Sequence, residues 1–144
     1  MSLEIHQHDR EGITVLDLKG RLTFGEEDLA FRENLQRLIN AGKHKLILSM
    51  EHLTDVDTAG IGSITYVLAT LKAAGGRLVL LNLRPSHMEL FVLFKLEVDF
   101  DVFDNELDAV NSFFPDRKAT RVDLFQLIST FKKESTPEKG SAET

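Results

Sequence analysis

Cysteine is absent from the 144 residues, which excludes a disulfide frame, a thiolate nucleophile and a thiolate metal site. Tryptophan is also absent and tyrosine occurs once, so aliphatic residues and the ten Phe must carry burial. None of these has a polar atom that needs a partner, and the core should be dry. Positive charge is the minority: 17 Lys and Arg against 23 Asp and Glu leave a net charge of −6. Phosphate backbones and anionic lipid repel such a surface, so nucleic acid is not an expected ligand. No run approaches the roughly 20 apolar residues of a membrane span. The first residues carry Asp9 and Glu11 where a signal peptide is apolar. The chain therefore reads as a cytoplasmic protein, long enough for one core and too short for two.

Periodicity supplies the elements. Leu3 and Ile5, then Thr14, Leu16 and Leu18, alternate with polar or outward positions around Glu11-Gly12, which reads as two strands joined by a tight turn. Glu26, Glu27 and Asp28 open a helix whose face holds Phe31, Leu35, Leu38 and Ile39, and Asn40-Ala41-Gly42 ends it. Lys45–Met50 is a buried strand followed by a polar loop. Ile61, Ile64, Leu68 and Leu71 mark a central helix from Thr58, stopped by Gly75-Gly76. Arg77–Leu81 is a further strand. Ser86 with Glu89 reads as a capping box before an apolar helix reaching Leu96. Val98–Phe103 alternates as a strand, and Asp104 caps a helix holding Leu107, Val110, Phe113 and Phe114.

Strands alternating with helices imply an α/β fold: a single domain over 1–117 with a mixed, partly parallel sheet of four to five strands. Residues 118–133, with Val122, Leu124, Phe125, Leu127, Ile128 and Phe131, read as an extra amphipathic helix. It packs on the domain or supplies a homodimer or partner contact. Residues 134–144 have the composition of a disordered tail.

The informative segment is Leu53–Gly62. It joins a buried strand to the central helix, so Asp57 and Thr58 lie where backbone N–H groups lack helical partners, and either side chain suits the N-cap. Gly60 and Gly62 each cost up to about 1 kcal/mol relative to Ala in the first turn. Something close to the backbone should justify them, either the sheet beneath or a partner above. A hydroxyl at a helix N-terminus also suits phosphorylation, because the dipole and free N–H groups tolerate the added charge. At an interface beside Asp55 and Asp57, about −1.5 to −2 further charges would repel a partner. Thr58 thus has the properties of an off-switch for binding.

Enzyme readings fit less well. Asp55-Val56-Asp57 evokes aspartate-nucleophile phosphatases with Mg²⁺, but their Thr lies two residues beyond the second Asp, and Thr58 is adjacent. An acidic pair after the first strand, as a phospho-aspartate receiver needs, is missing. His6 and His8 form a pair without a third ligand and read as solvent-facing. The stretch Met88–Leu96 reads as core first and as a docking face for the C-terminal helix second, ahead of a lipid or partner-helix contact. No catalytic residue, metal site or cofactor is expected.

Asp57-Thr58-Ala59-Gly60-Ile61-Gly62, set between a strand and a helix that ends in Gly75-Gly76, resembles the STAS domain of bacterial anti-sigma-factor antagonists. The resemblance runs over about residues 3–115 and includes Gly20-Arg21-Leu22 and the helix after Ser86. It implies a STAS-like fold, Thr58 as phosphoacceptor, and a partner-binding edge of Asp55, Asp57, Thr58, Ala59, Gly60, Ile61 and Gly62. The implied partner is an anti-sigma factor that is itself a serine/threonine kinase of the histidine-kinase-like ATPase fold, displaced from its sigma factor while Thr58 is unmodified. Two departures stand out. The acceptor is Thr where the family has mostly Ser, and Thr23-Phe24-Gly25 stands where antagonists commonly carry an acid. The alternative implied is a STAS regulatory or scaffold module, a transporter subunit or a stress-signalling component, without phosphorylation gating.

Overall fold

The computed structural model describes residues 2–135. Strands β1 (Leu3–Arg10) and β2 (Ile13–Leu22) are antiparallel. Glu11 at φ 53 and Gly12 at φ 83 turn the chain between them, the positive pair that a two-residue hairpin requires. Helix α1 (Glu26–Asn40), strand β3 (Lys45–Val56), helix α2 (Thr58–Ala73), strand β4 (Arg77–Leu81), helix α3 (Pro85–Leu93), strand β5 (Val102–Phe103) and helix α4 (Glu106–Asn111) follow. The five strands lie in the order β1-β2-β3-β4-β5, with β2 to β5 parallel, so the sheet is mixed as expected.

Both faces of the sheet are covered. Leu16, Leu18, Leu46, Leu48 and Met50 meet Phe31 and Leu35 of α1, Ile64 and Leu71 of α2 and Phe91 of α3 in the larger core. Ile13, Val15, Ile47 and Val79 face the other way and meet Ala109 and Val110 of α4. Two-sided burial explains the unbroken apolar runs Leu46–Leu48 of β3 and Leu78–Leu81 of β4.

The first three helices end alike. Gly76 N–H donates to Leu71 C=O at 2.7 Å and Gly75 N–H to Lys72 C=O at 3.0 Å, a Schellman motif. Lys43 to Leu38 and Leu96 to Phe91 repeat it after α1 and α3. In the third case Lys95 takes the left-handed position at φ 59, so α3 stops at Leu93 and does not continue to Leu96.

Four further expectations are corrected. Leu53–Val56 is strand and not loop: β2 keeps pairing beyond a bulge, Gly20 with Leu53 and Arg21 with Asp55, which carries Asp55 within β3. No Ser86 capping box forms. Pro85 starts α3 with its preset φ, and Arg84, extended as a residue before proline must be, takes the cap position. The strand expected over Val98–Phe103 shrinks to two residues, and Val98 is exposed. Asn105 and not Asp104 caps α4, accepting Asp108 N–H at 2.8 Å, and Leu107 points to solvent.

The chain then rounds the β5 edge. Arg117 grips Glu11 at 2.9 Å, Arg121 grips Asp101 at 2.8 Å, and Val122 N–H donates to Val102 C=O at 2.7 Å. Helix α5 (Leu124–Ser135) packs against α3, with Leu124 and Ile128 buried in the larger core. Glu134 and Ser135 fall within α5, and the rest of the expected tail, 136–144, lies outside the described residues. Among the described residues no helix is long and apolar enough to cross a membrane.

Candidate functional site

Helices α1, α2 and α3 follow β2, β3 and β4 in turn, so their N-termini gather at the carboxyl ends of these parallel strands. This is where open α/β sheets place their binding surfaces. The central element there is the start of α2. Asp57, extended at φ −111 and ψ −172, is the N-cap, and its Oδ1 accepts Gly60 N–H at 2.9 Å. Its Oδ2 accepts Phe24 N–H at 3.0 Å. One carboxylate therefore caps α2 and pins the β2–α1 loop beside it.

Because Asp57 takes the capping position, Thr58 is left as the first helical residue. It is exposed, and among the described residues its hydroxyl makes no hydrogen bond. The first intrahelical bond behind it runs from Ile61 N–H to Asp57 C=O at 3.0 Å, which leaves the Thr58 and Ala59 N–H groups ahead of the ladder.

The two glycines of the motif differ. A Cβ on Gly60 would sit 2.2 Å from Leu22 C=O, so here the sheet beneath is the close neighbour. A Cβ on Gly62 would meet nothing within 4 Å, and Gly62 lies on the exposed face. Ile61 is in the core, Ala59 and Asp57 are half-buried, and Asp55 is exposed with Arg21 at 3.7 Å. Of the expected edge, the structure thus brings Asp55, Thr58 and Gly62 to the surface and turns Gly60 and Ile61 inward.

Sequence reasoning overlooked three exposed apolar side chains at this end: Phe24 (81% exposed), Leu29 and Tyr66. The one available signal was the unusual Thr23-Phe24-Gly25. Arg32 of α1 ties the two helices together, donating to Ser63 Oγ at 2.8 Å and stacking over the Tyr66 ring at 5.0 Å.

His87, in the first turn of α3, is buried with Nδ1 unpartnered. Burial, reinforced by Arg84, lowers its pKa, and Asp55 partly opposes the shift. Elsewhere His6 bonds Glu4, and His8 bonds Glu106. Among the described residues no group of three His, Cys, Asp or Glu is placed to hold a metal ion. A cleft lined by Glu97, Phe100, Asp101, Arg121 and Leu124 lies at the β5 edge and takes no residue from Asp55–Gly62.

Comparison with known proteins places this geometry in context. The profile of the STAS domain family matches residues 4–109. The anti-sigma F factor antagonist of Paenibacillus polymyxa is 22% identical over 110 residues, covering 76% of this chain and 94% of that protein. The phosphorylated form of SpoIIAA, a Bacillus cell fate determinant, superposes with a TM-score of 0.61 at 23% identity, covering 77% and 98% of the two chains. An anti-sigma factor antagonist from Mycobacterium paratuberculosis superposes with a TM-score of 0.67 at 13% identity, covering 76% and 92%. At such identities the superpositions show a shared fold.

Proposed function

The chain belongs to the STAS domain family, and on that premise we propose that it is an anti-sigma factor antagonist gated by phosphorylation of Thr58. With Thr58 unmodified, the edge at the start of α2 binds an anti-sigma factor with serine/threonine kinase activity and frees a sigma factor. With Thr58 phosphorylated, it lets go. The relatives named above supply the role, and the observation that carries the gating is the division of labour between neighbours: Asp57 caps, and Thr58 is exposed and unbonded.

A phosphate on Thr58 would sit at the positive end of α2, so the fold tolerates it. It would also stand beside Asp55 and Asp57. An interface covering this spot would then have to desolvate a dianion among carboxylates, which disfavours binding far more than folding.

The test uses each ATPase-type anti-sigma factor of the source genome, purified and incubated with this chain and ATP, with phosphate located by mass spectrometry. The expected result is one phosphate, on Thr58. Thr58→Asp is expected to weaken binding at least tenfold, and Thr58→Ala to bind whether or not ATP is present. Binding that neither substitution alters would reject the gating and favour the ungated regulatory or scaffold module.

A further inference from the structure

The β2–α1 loop carries an aromatic side chain where burial physics gives it no reason to be. Phe24 is 81% exposed, yet its backbone is held firmly. Its N–H bonds Asp57 Oδ2, and the flanking residues are bonded into α1, Thr23 C=O accepting from Asp28 N–H and Gly25 C=O from Leu29 N–H, both at 3.1 Å. Gly25, at φ 114, turns the chain there. Phe24 is thus an exposed ring on a preorganised base, joined through one carboxylate to the residue before Thr58.

The surroundings define what it fits. Gly62 lies one helical turn beyond Thr58 on α2 and Tyr66 one turn further, so the exposed stripe of α2 runs Thr58, Gly62, Tyr66. Gly62 leaves a flat spot between the hydroxyl and the half-exposed ring. On α1, Leu29 is exposed one turn before Arg32, the residue that reaches across to Ser63. The rim beside Phe24 is acidic: Glu26, Glu27 and Asp28 occupy the first turn of α1.

We infer that Phe24 is the anchor of the partner interface, entering an apolar pocket on the anti-sigma factor that is rimmed by basic side chains. This rests on the reading of the preceding subsection and adds residues outside the Asp55–Gly62 motif. Rigid aromatic side chains on preorganised loops are favoured anchors, because they bury large area at little entropic cost. The acidic rim selects the partner: a second copy would bring Glu26, Glu27 and Asp28 against their own kind, whereas a basic rim is attracted. Phosphate on Thr58 would then stand on the residue next to Asp57, whose carboxylate holds the anchor's backbone, and bring water into the same interface.

The chain has no tryptophan, so Phe24→Trp installs a single indole reporter. Against the anti-sigma factor that binds wild type, Phe24→Ala is expected to lower affinity about thirtyfold with an unchanged melting temperature. The emission of Phe24→Trp is expected to shift to the blue in the complex. Glu26→Gln with Glu27→Gln is expected to slow association and flatten its dependence on salt. Wild-type affinity for Phe24→Ala, or an indole that stays solvent-exposed in the complex, overturns the anchor and leaves the antagonist reading intact. Binding that strengthens with salt overturns the basic rim. If no anti-sigma factor binds wild type, both inferences fall together.

Discussion

At the scale of single residues, Asp57 and Thr58 do opposite things from adjacent positions. Asp57 satisfies two backbone donors from two elements. Asp57→Ala should therefore lower stability by about 2 kcal/mol, the sum of a lost cap and a lost loop bond, read as a fall in the urea midpoint. Thr58→Ala should stay within about 0.5 kcal/mol, since an exposed, unbonded hydroxyl contributes little to folding. The glycines divide in the same way. Gly60→Ala forces a methyl against Leu22 C=O and should cost about 1–3 kcal/mol. Gly62→Ala meets open space and should raise stability by up to about 1 kcal/mol, while weakening the partner complex if that face is covered. Chemical unfolding and binding titrations on the same four variants separate folding from function. In sequence the two glycines look equivalent, because what distinguishes them is a carbonyl 38 positions away in the chain.

Among the elements, α5 is the one that lies outside the matched family segment, which ends at residue 109. It is nonetheless bonded into the domain. Leu124 and Ile128 reach the core, and the approach to them is fastened by Arg121 to Asp101 and Val122 to Val102. Leu124→Ala should cost about 2–3 kcal/mol, as a buried leucine does when its cavity cannot fully collapse. Cooperative unfolding of the variant at a lower urea midpoint is the expected result, and unchanged stability would show that α5 is only loosely docked. Periodicity made the helix legible, and the apolar face made packing the favoured use for it. The surface it covers, α3, was legible only as the second use of Met88–Leu96, since the docking depends on the chain turning around β5. Helix ends followed the same division. The glycine stops after α1 and α2 were readable, but the stop after α3 uses Lys95 in a conformation that sequence rules assign to glycine.

For the molecule as a whole, acid should be destabilising, and two groups set the windows. His87 has its pKa lowered chiefly by burial, so the unfolded chain binds its proton more readily. Stability is then lost as pH falls below the ordinary histidine value of 6.5. Glu106 is opposed by desolvation, yet bonds from His8 and Arg10 hold its carboxyl below the ordinary 4.5. Its contribution is present above that value and is lost as pH falls through the lowered one. The melting temperature is thus expected to drop between pH 7.5 and 5.5, and His87→Leu to reduce that drop. An unchanged drop would place the sensitivity elsewhere.

The order of elements, the mixed sheet, the glycine stops after α1 and α2 and the motif that starts α2 were all legible along the chain, because each is written in local periodicity and local backbone preference. Which of the two neighbouring side chains caps α2, why Gly60 must be glycine, and that Phe24 is bonded to Asp57 were settled only by folding. Those outcomes depend on residues such as Leu22 and Phe24 meeting Asp57 and Gly60 across strands, and distance along the chain carries no trace of such contacts.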